Sequence, residues 1–214
     1  MLVSILCMPF LIKLLGAEAY GLIAFLFLLQ SLLQILDLGM GPLLNREIAR
    51  FTRADTPEID RTNLAKFVVT MERWYWLLGA AVGLLMFLIV PLVVTAWLKP
   101  VQLSADEMNQ SAQLFAVLAC MQWSAAFYQN GLLGMQRQVE LNFFQIVFGS
   151  LNAIGGVIFV WLGPRSVSGL LTWHCVVTLV QLLVMARFFW SSAVFPRVRF
   201  RADFGTCEWR FNPA

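Results

Sequence analysis

The sequence predicts an all-α protein, a polytopic membrane helix bundle, and three observations lead to this prediction. Of its 214 residues, 60% are apolar and only 13% are charged, against roughly 45–50% and 25% in soluble domains. The mean hydropathy is +0.76. The apolar residues also fall in repeated runs that, at ~1.5 Å rise per helical residue, match a hydrocarbon core of ~30 Å. We therefore expect about six transmembrane helices.

These runs predict one transmembrane bundle over residues 1–190 and a separate tail over residues 191–214. The first run is short for a crossing, so we interpret it as part of a truncated first helix. The tail contains four arginines and no further apolar run, which predicts a basic cytoplasmic tail or linker. The expected helices cover residues 1–15, 20–44, 57–98, 105–135, 141–162 and 168–190.

The positions of the basic residues predict the orientation in the membrane. Twelve of the fifteen Lys and Arg residues fall in the connection 46–73, at the turn near Arg137, or from Arg187 onward. The positive-inside rule places such segments in the cytoplasm. We therefore expect a multi-pass protein of the cytoplasmic (inner) membrane, with loop 46–73 and tail 191–214 on the cytoplasmic side.

The second expected helix carries polar residues along one face. Gln30, Gln34, Asp37 and Asn45 recur there at helical spacing. A carboxylate in a membrane helix costs roughly 2.5–3.5 kcal/mol at the bilayer centre and less towards the interface. Asp37 should therefore face protein or water, either as a structural acid that pairs helices or as a group that lines a transport cavity.

Three residues next to Asp37 predict a hinge. Gly39 and Gly41 loosen the helix, and Pro42 removes one backbone hydrogen bond and crowds the carbonyl group of Leu38. We therefore expect a kink within the second helix.

Polar residues also recur on the fourth, fifth and sixth helices, where Gln129, Asn152 and Gln181 are candidates for a cavity lining. Asn130 does not follow this pattern. Stripes on four helices favour one shared cavity, although polar residues also pack helices together through hydrogen bonds that average ~0.6 kcal/mol. On the third helix, Gly79 and Gly83 form a G-x-x-x-G pair that predicts close contact with another helix.

Several kinds of site are not expected. The acidic residues between Asp55 and Asp60 flank Thr56 and Pro57, which is typical of a solvated helix start rather than a metal site. The four cysteines have no metal-like spacing. A net charge of +3 is too small to indicate a nucleic acid partner. We expect no metal, no cofactor and no catalytic residues, so the protein is not predicted to be an enzyme.

Two segments resemble the start of oligosaccharide flippases: PFLIKLLGAEAYGLIAF and LDLGMGPLLNREIAR. These flippases are polysaccharide transporters of the multidrug/oligosaccharidyl-lipid/polysaccharide exporter superfamily. The family's Leu-Gly-x-x-x-Tyr-Gly turn matches Leu15–Gly16 and Tyr20–Gly21 here. Its Leu-Asp-Leu-Gly motif and following arginine match Leu36 to Gly39 and Arg46. A third segment, GLLGMQRQVELNFFQ, is similar to the Gly-x-Gln-Arg segment between the family's fourth and fifth helices.

The resemblance implies twelve to fourteen membrane helices in two bundles around a V-shaped central cavity. It also implies movement of a polyprenyl-diphosphate-linked oligosaccharide across the membrane by alternating access. The chain would then be the N-terminal bundle, with membrane lipid, this substrate and a missing second bundle as its partners, and it should be inactive alone. Arg46 and Arg137, near the cytoplasmic end, are the candidate basic residues for a lipid diphosphate.

Other functions also fit parts of the sequence. A drug/cation antiporter of the same superfamily, or a lipid II-type flippase, has the same topology. A membrane enzyme such as a polyprenyl transferase would need metal-binding acidic pairs at the membrane surface. A non-catalytic membrane subunit would need no polar stripes.

Overall fold

A computed structural model describes five stretches of the chain, residues 2–34, 39–51, 58–93, 105–163 and 166–192. These stretches form seven α-helices and no β-strand, which confirms the predicted all-α class. In chain order the helices are α1 (Leu2–Leu15), α2 (Ala17–Gln34), α3 (Met40–Phe51), α4 (Glu58–Val93), α5 (Ala105–Gly134), α6 (Gln138–Leu162) and α7 (Val167–Trp190).

Three helices in the described stretches are long and apolar enough to cross a membrane: Asn63–Val90 within α4, Gln138–Leu162 and Val167–Trp190. The chain is therefore compatible with a membrane protein, but six crossings are not confirmed. As helices, α1 and α2 reach only about 21 and 27 Å, short of a core of ~30 Å. α5 is long enough at about 45 Å, but it carries many polar residues.

The second expected helix, residues 20–44, is not one continuous helix. α2 ends at Gln34 and α3 begins at Met40. Gly39 has a φ of +80°, a left-handed conformation that glycine adopts at little cost. Its carbonyl group accepts a hydrogen bond from the backbone N–H of Leu43 at 3.0 Å. Gly39 therefore precedes the start of a new helix.

This break corrects the prediction of a proline kink. Pro42 lies in the first turn of α3, where backbone N–H groups have no partner within the helix. The proline therefore costs no helical hydrogen bond there and does not bend the helix. A hinge role for Gly39, Gly41 and Pro42 stays a prediction.

α5 lies at the centre of the packing and contacts helices α2, α3, α4, α6 and α7. Its side chains Phe115, Leu118, Phe127 and Leu132 are almost completely buried. By contrast, α6 and α7 expose large apolar residues on their outer faces, as a lipid-facing surface would. Examples are Phe143, Ile146, Ile158, Trp161, Val176 and Leu183.

The G-x-x-x-G pair of α4 packs against small residues of α5, which confirms the predicted close contact. A Cβ atom added at Gly83 would lie 3.0 Å from the Cβ atom of Cys120 and 3.3 Å from the carbonyl oxygen of Ala116. One added at Gly79 would lie 3.2 Å from Oγ of Ser124. At these distances a larger side chain at Gly79 or Gly83 would require the neighbouring atoms of α5 to shift.

We expect Gly83→Leu to destabilise the bundle by on the order of 1–3 kcal/mol, because the new side chain would push α4 away from α5. Thermal unfolding of the purified protein in detergent measures the loss. Gly149→Leu is the matched control, since Gly149 is also helical but has no atom within 4 Å of an added Cβ. Equal losses in the two variants would contradict the close contact.

Candidate functional site

A polar cavity of about 420 Å³ lies among five helices. α4 contributes the apolar side chain of Val82, and α5 contributes three alanines and Trp123. Most of the polar lining consists of carboxamides from four different helices. These are Gln30 of α2, Gln122, Gln129 and Asn130 of α5, Asn152 of α6 and Gln181 of α7. Thr178 of α7 adds a hydroxyl group.

Four of the residues predicted as cavity-lining meet at this cavity: Gln30, Gln129, Asn152 and Gln181. They are far apart in sequence, and helical spacing alone singled them out. Their role in binding a substrate stays a prediction. Asp37 lies outside the described residues, as does the side chain of Gln34, whose backbone ends α2.

Asn45 and Arg46 lie on α3 and do not line the cavity. The backbone of Asn45 packs against Gly134 of α5, where an added Cβ atom would lie 2.8 Å from the Asn45 carbonyl oxygen. The Arg46 side chain is 70% exposed and forms an ion pair with Glu47 at 3.1 Å. The predicted polar face assumed one continuous helix over residues 20–44. The break at Gly39 interrupts the helical spacing, so residues before and after it no longer share one face.

Arg137 follows the turn between α5 and α6, and it also does not line the cavity. The preceding residue, Gln136, has a left-handed φ of +58°. The Arg137 guanidinium lies 3.3 Å from Glu140, donates a hydrogen bond to Ser192 at 3.0 Å, and sits 4.7 Å from the centre of the Phe188 ring. It therefore ties the end of α7 to this turn.

Hydrogen bonding inside the cavity is incomplete. Gln30 donates its Nε2 proton to Oε1 of Gln122, and Asn130 donates to the carbonyl group of Ala126 at 2.9 Å. The buried atoms Oε1 of Gln30, Oδ1 of Asn152 and Nε1 of Trp123 have no hydrogen-bond partner among the described residues. A buried polar atom without a partner costs about 1–3 kcal/mol. These three atoms therefore have hydrogen-bonding capacity that no described residue uses.

The cavity lining contains no charged side chain among the described residues. Carboxamides supply both donors and acceptors, and the indole of Trp123 supplies a donor. The lining is therefore suited to hydrogen bonding with an uncharged polar molecule.

On α5, Trp123 and Asn130 contribute polar groups to the lining but lie outside the predicted polar stripe. The glutamines Gln122 and Gln129 are seven residues apart and mark only the middle of the cavity face. Spacings of three and four residues around them, through Ala119 and Ala126, would have predicted a wider arc that includes both side chains.

Glu72 is a second feature that sequence analysis missed. Its Oε1 atom accepts hydrogen bonds from the Tyr128 hydroxyl at 2.5 Å and from Trp190 Nε1 at 3.2 Å. Glu72 therefore joins α4 to α5 and α7. The ring of Phe189 lies 5.8 Å from that of Tyr128 and 5.4 Å from that of Trp190. The expected helix over residues 57–98 contained Glu72, as α4 does, but its partners lie 56 and 118 positions away in the sequence and could not be inferred from helical spacing.

We expect the cavity to be accessible to water. In a background without native cysteines, Asn152→Cys and Gln181→Cys should react with a charged thiol reagent in native membranes. The neighbouring variants Leu151→Cys and Val180→Cys are the controls, because these residues are exposed on the outer surface, where lipid would exclude the reagent. Equal labelling of inner and outer positions would contradict a lined cavity in a membrane.

We expect Tyr128→Phe to destabilise the protein by about 1–3 kcal/mol, because Glu72 would lose a donor at a half-buried position. Chemical unfolding in detergent measures the change. Tyr20→Phe is the control, since the Tyr20 hydroxyl makes no hydrogen bond to the described residues, and its effect should stay within about 0.5 kcal/mol. A Tyr128→Phe effect no larger than that of the control would show that the contact with Glu72 does not stabilise the fold.

The functional features of the described residues are thus a neutral, amide-lined cavity and an acid that joins three helices. Comparisons of the chain with protein-family models, curated proteins and solved structures found no match. Nothing in them identifies a flippase, and the likeness to the oligosaccharide flippases remains a resemblance of sequence segments.

Proposed function

We propose that this chain forms one helical bundle of a membrane transporter that moves a polyprenyl-diphosphate-linked oligosaccharide across the cytoplasmic membrane. The observation that supports this function best is the cavity of about 420 Å³ among five helices. The polar lining of the cavity and the apolar outer faces of α6 and α7 fit a polar path through a lipid bilayer. The substrate class is inferred from the resemblance of three sequence segments to the oligosaccharide flippases.

In this proposal α5 crosses the membrane together with the three apolar spans, and α1 and α2, which are shorter than the hydrocarbon core, are parts of two further crossings. The polar residues of α5 lower its hydropathy, but Gln122, Gln129 and Asn130 face the cavity rather than the outer surface. Polar side chains in a membrane helix are tolerated when they face the bundle interior. The proposed orientation, with loop 46–73 and tail 191–214 in the cytoplasm, rests on the positions of the basic residues.

The composition of the cavity also favours this cargo over a cationic drug. A binding site for a cation would be expected to offer a carboxylate, which would compensate the charge of the ligand. Among the described residues, the polar lining consists of carboxamides, one hydroxyl group and one indole, which match the hydroxyl groups of a glycan.

Alternating access requires a second bundle in this proposal. Transporters of this type move one bundle against another around a central site, and the described helices supply one side of such a site. Gly39, which has a left-handed conformation between α2 and α3, is the proposed hinge for this movement.

The proposal predicts complementation that depends on a second bundle. In a bacterium lacking its own polysaccharide flippase, we expect the 214-residue chain alone to be inactive. The same chain fused to the second bundle of a known flippase should restore surface polysaccharide, as measured by immunoblotting. The double variant Gln129→Leu/Asn152→Leu of the fused protein should lose most of this activity.

Asn142→Leu of the fused protein is the matched control, because Asn142 is exposed on α6 outside the cavity. Restoration by the chain alone would contradict the one-bundle proposal. Failure of the fused protein, despite normal insertion into the membrane, would contradict the flippase function itself.

A further inference from the structure

We infer that the cavity binds an uncharged, hydroxyl-rich group, the neutral sugar units of a glycan, and that it excludes anionic groups such as a diphosphate or an acidic sugar. This inference deepens the proposed function and rests on it for the glycan nature of the ligand. The preference for neutral over anionic groups follows from the chemistry of the cavity lining.

Three of the residues that line the cavity have a buried atom without a hydrogen-bond partner among the described residues: two acceptors and one donor. Oε1 of Gln30 and Oδ1 of Asn152 are buried acceptors, and Nε1 of Trp123 is a buried donor. Two hydroxyl groups of a sugar can donate one proton each to the two acceptors, and another can accept from the indole. An ionised phosphate or carboxylate group only accepts, so it could accept from the indole and from amide N–H groups but would leave both amide oxygens without a donor. A metal cation would bind the two amide oxygens but would leave the indole N–H without an acceptor.

The apolar part of the lining fits the same kind of ligand. Val82, Ala119, Ala125 and Ala126 line the cavity together with the polar groups. A pyranose ring presents C–H groups on its faces and hydroxyl groups at its edge, so it needs both kinds of contact. The volume of about 420 Å³ is within the ~300–1,000 Å³ of small-molecule sites.

The charges that could attract an anion lie elsewhere in the described structure. Arg46 pairs with Glu47 on an exposed helix face. Arg137 is held by Glu140, Ser192 and the Phe188 ring. An anion inside the cavity would lie among neutral residues without a counter-charge from the described lining, and burying an unpaired charge is costly. The cavity therefore selects neutral groups over charged ones.

Glycan binding by the purified 214-residue chain in lipid nanodiscs tests this inference. The probes are an array of neutral oligosaccharides of two to four sugars, a matched set that carries glucuronic acid, and inorganic pyrophosphate as a competitor. We expect at least one neutral glycan to bind, its acid-bearing counterpart to bind at least about tenfold more weakly, and pyrophosphate not to compete.

Two substitutions locate the binding. Trp123→Phe removes the indole donor and keeps an aromatic ring, and Asn152→Leu removes the amide at similar volume. Each should weaken binding of the neutral glycan about fivefold to tenfold, which is the loss expected for one or two hydrogen bonds. Asn142→Leu, an exposed position on the same helix as Asn152, should leave the affinity unchanged. Thermal unfolding of each variant checks that the fold is intact.

Three results would overturn the inference. These are the absence of binding by any neutral glycan to the folded chain, equal or tighter binding of acidic glycans or pyrophosphate, and unchanged affinity in both cavity variants. Binding and transport can also fail separately. Selective binding of neutral glycans by a chain whose fused form does not restore polysaccharide would support this inference and contradict the proposed transport. Restored polysaccharide without glycan selectivity would contradict this inference alone.

Discussion

The structure depends on how α5 buries a polar face within an apolar bundle. Its amides Gln122, Gln129 and Asn130 could not face hydrocarbon without a large loss of hydrogen bonding. The surrounding helices enclose them, and the small side chains of α5 allow α4 to approach closely at Gly79 and Gly83. The same helix therefore determines both the packing of the bundle and the presence of a polar cavity.

Two consecutive residues of α5 connect the cavity with the acid Glu72. Tyr128 donates a hydrogen bond to Glu72 of α4, and Gln129 lines the cavity. Trp190, the last residue of α7, donates to the same carboxylate, and α7 also supplies Thr178 and Gln181 to the cavity. A displacement of α4 relative to α5 and α7 would therefore break the Glu72 hydrogen bonds and change the shape of the cavity together.

Helical periodicity predicted the all-α class and placed Gln30, Gln129, Asn152 and Gln181 on faces that meet at one cavity. This worked because these residues lie in regular helices, where sequence spacing determines the face. The break at Gly39 could not be predicted in the same way, because a left-handed glycine and a helical glycine have the same sequence signature. The Glu72 contacts join residues 56 and 118 positions apart, and only the packing of three helices brings such residues together.

The separation of charge in this chain limits what the bundle can recognise. Arg46 and Arg137 form ion pairs with acids of their own segments, while the described residues that line the cavity between α2, α5, α6 and α7 are neutral. In low-dielectric surroundings an unpaired charge is far more costly than an unpaired amide. Under the inference of a cavity for neutral sugars, such a bundle would hold polar groups by hydrogen bonds and reject ions. If its ligand carries both sugars and a diphosphate, the two parts must then be held by different regions of the transporter, with the diphosphate outside this cavity.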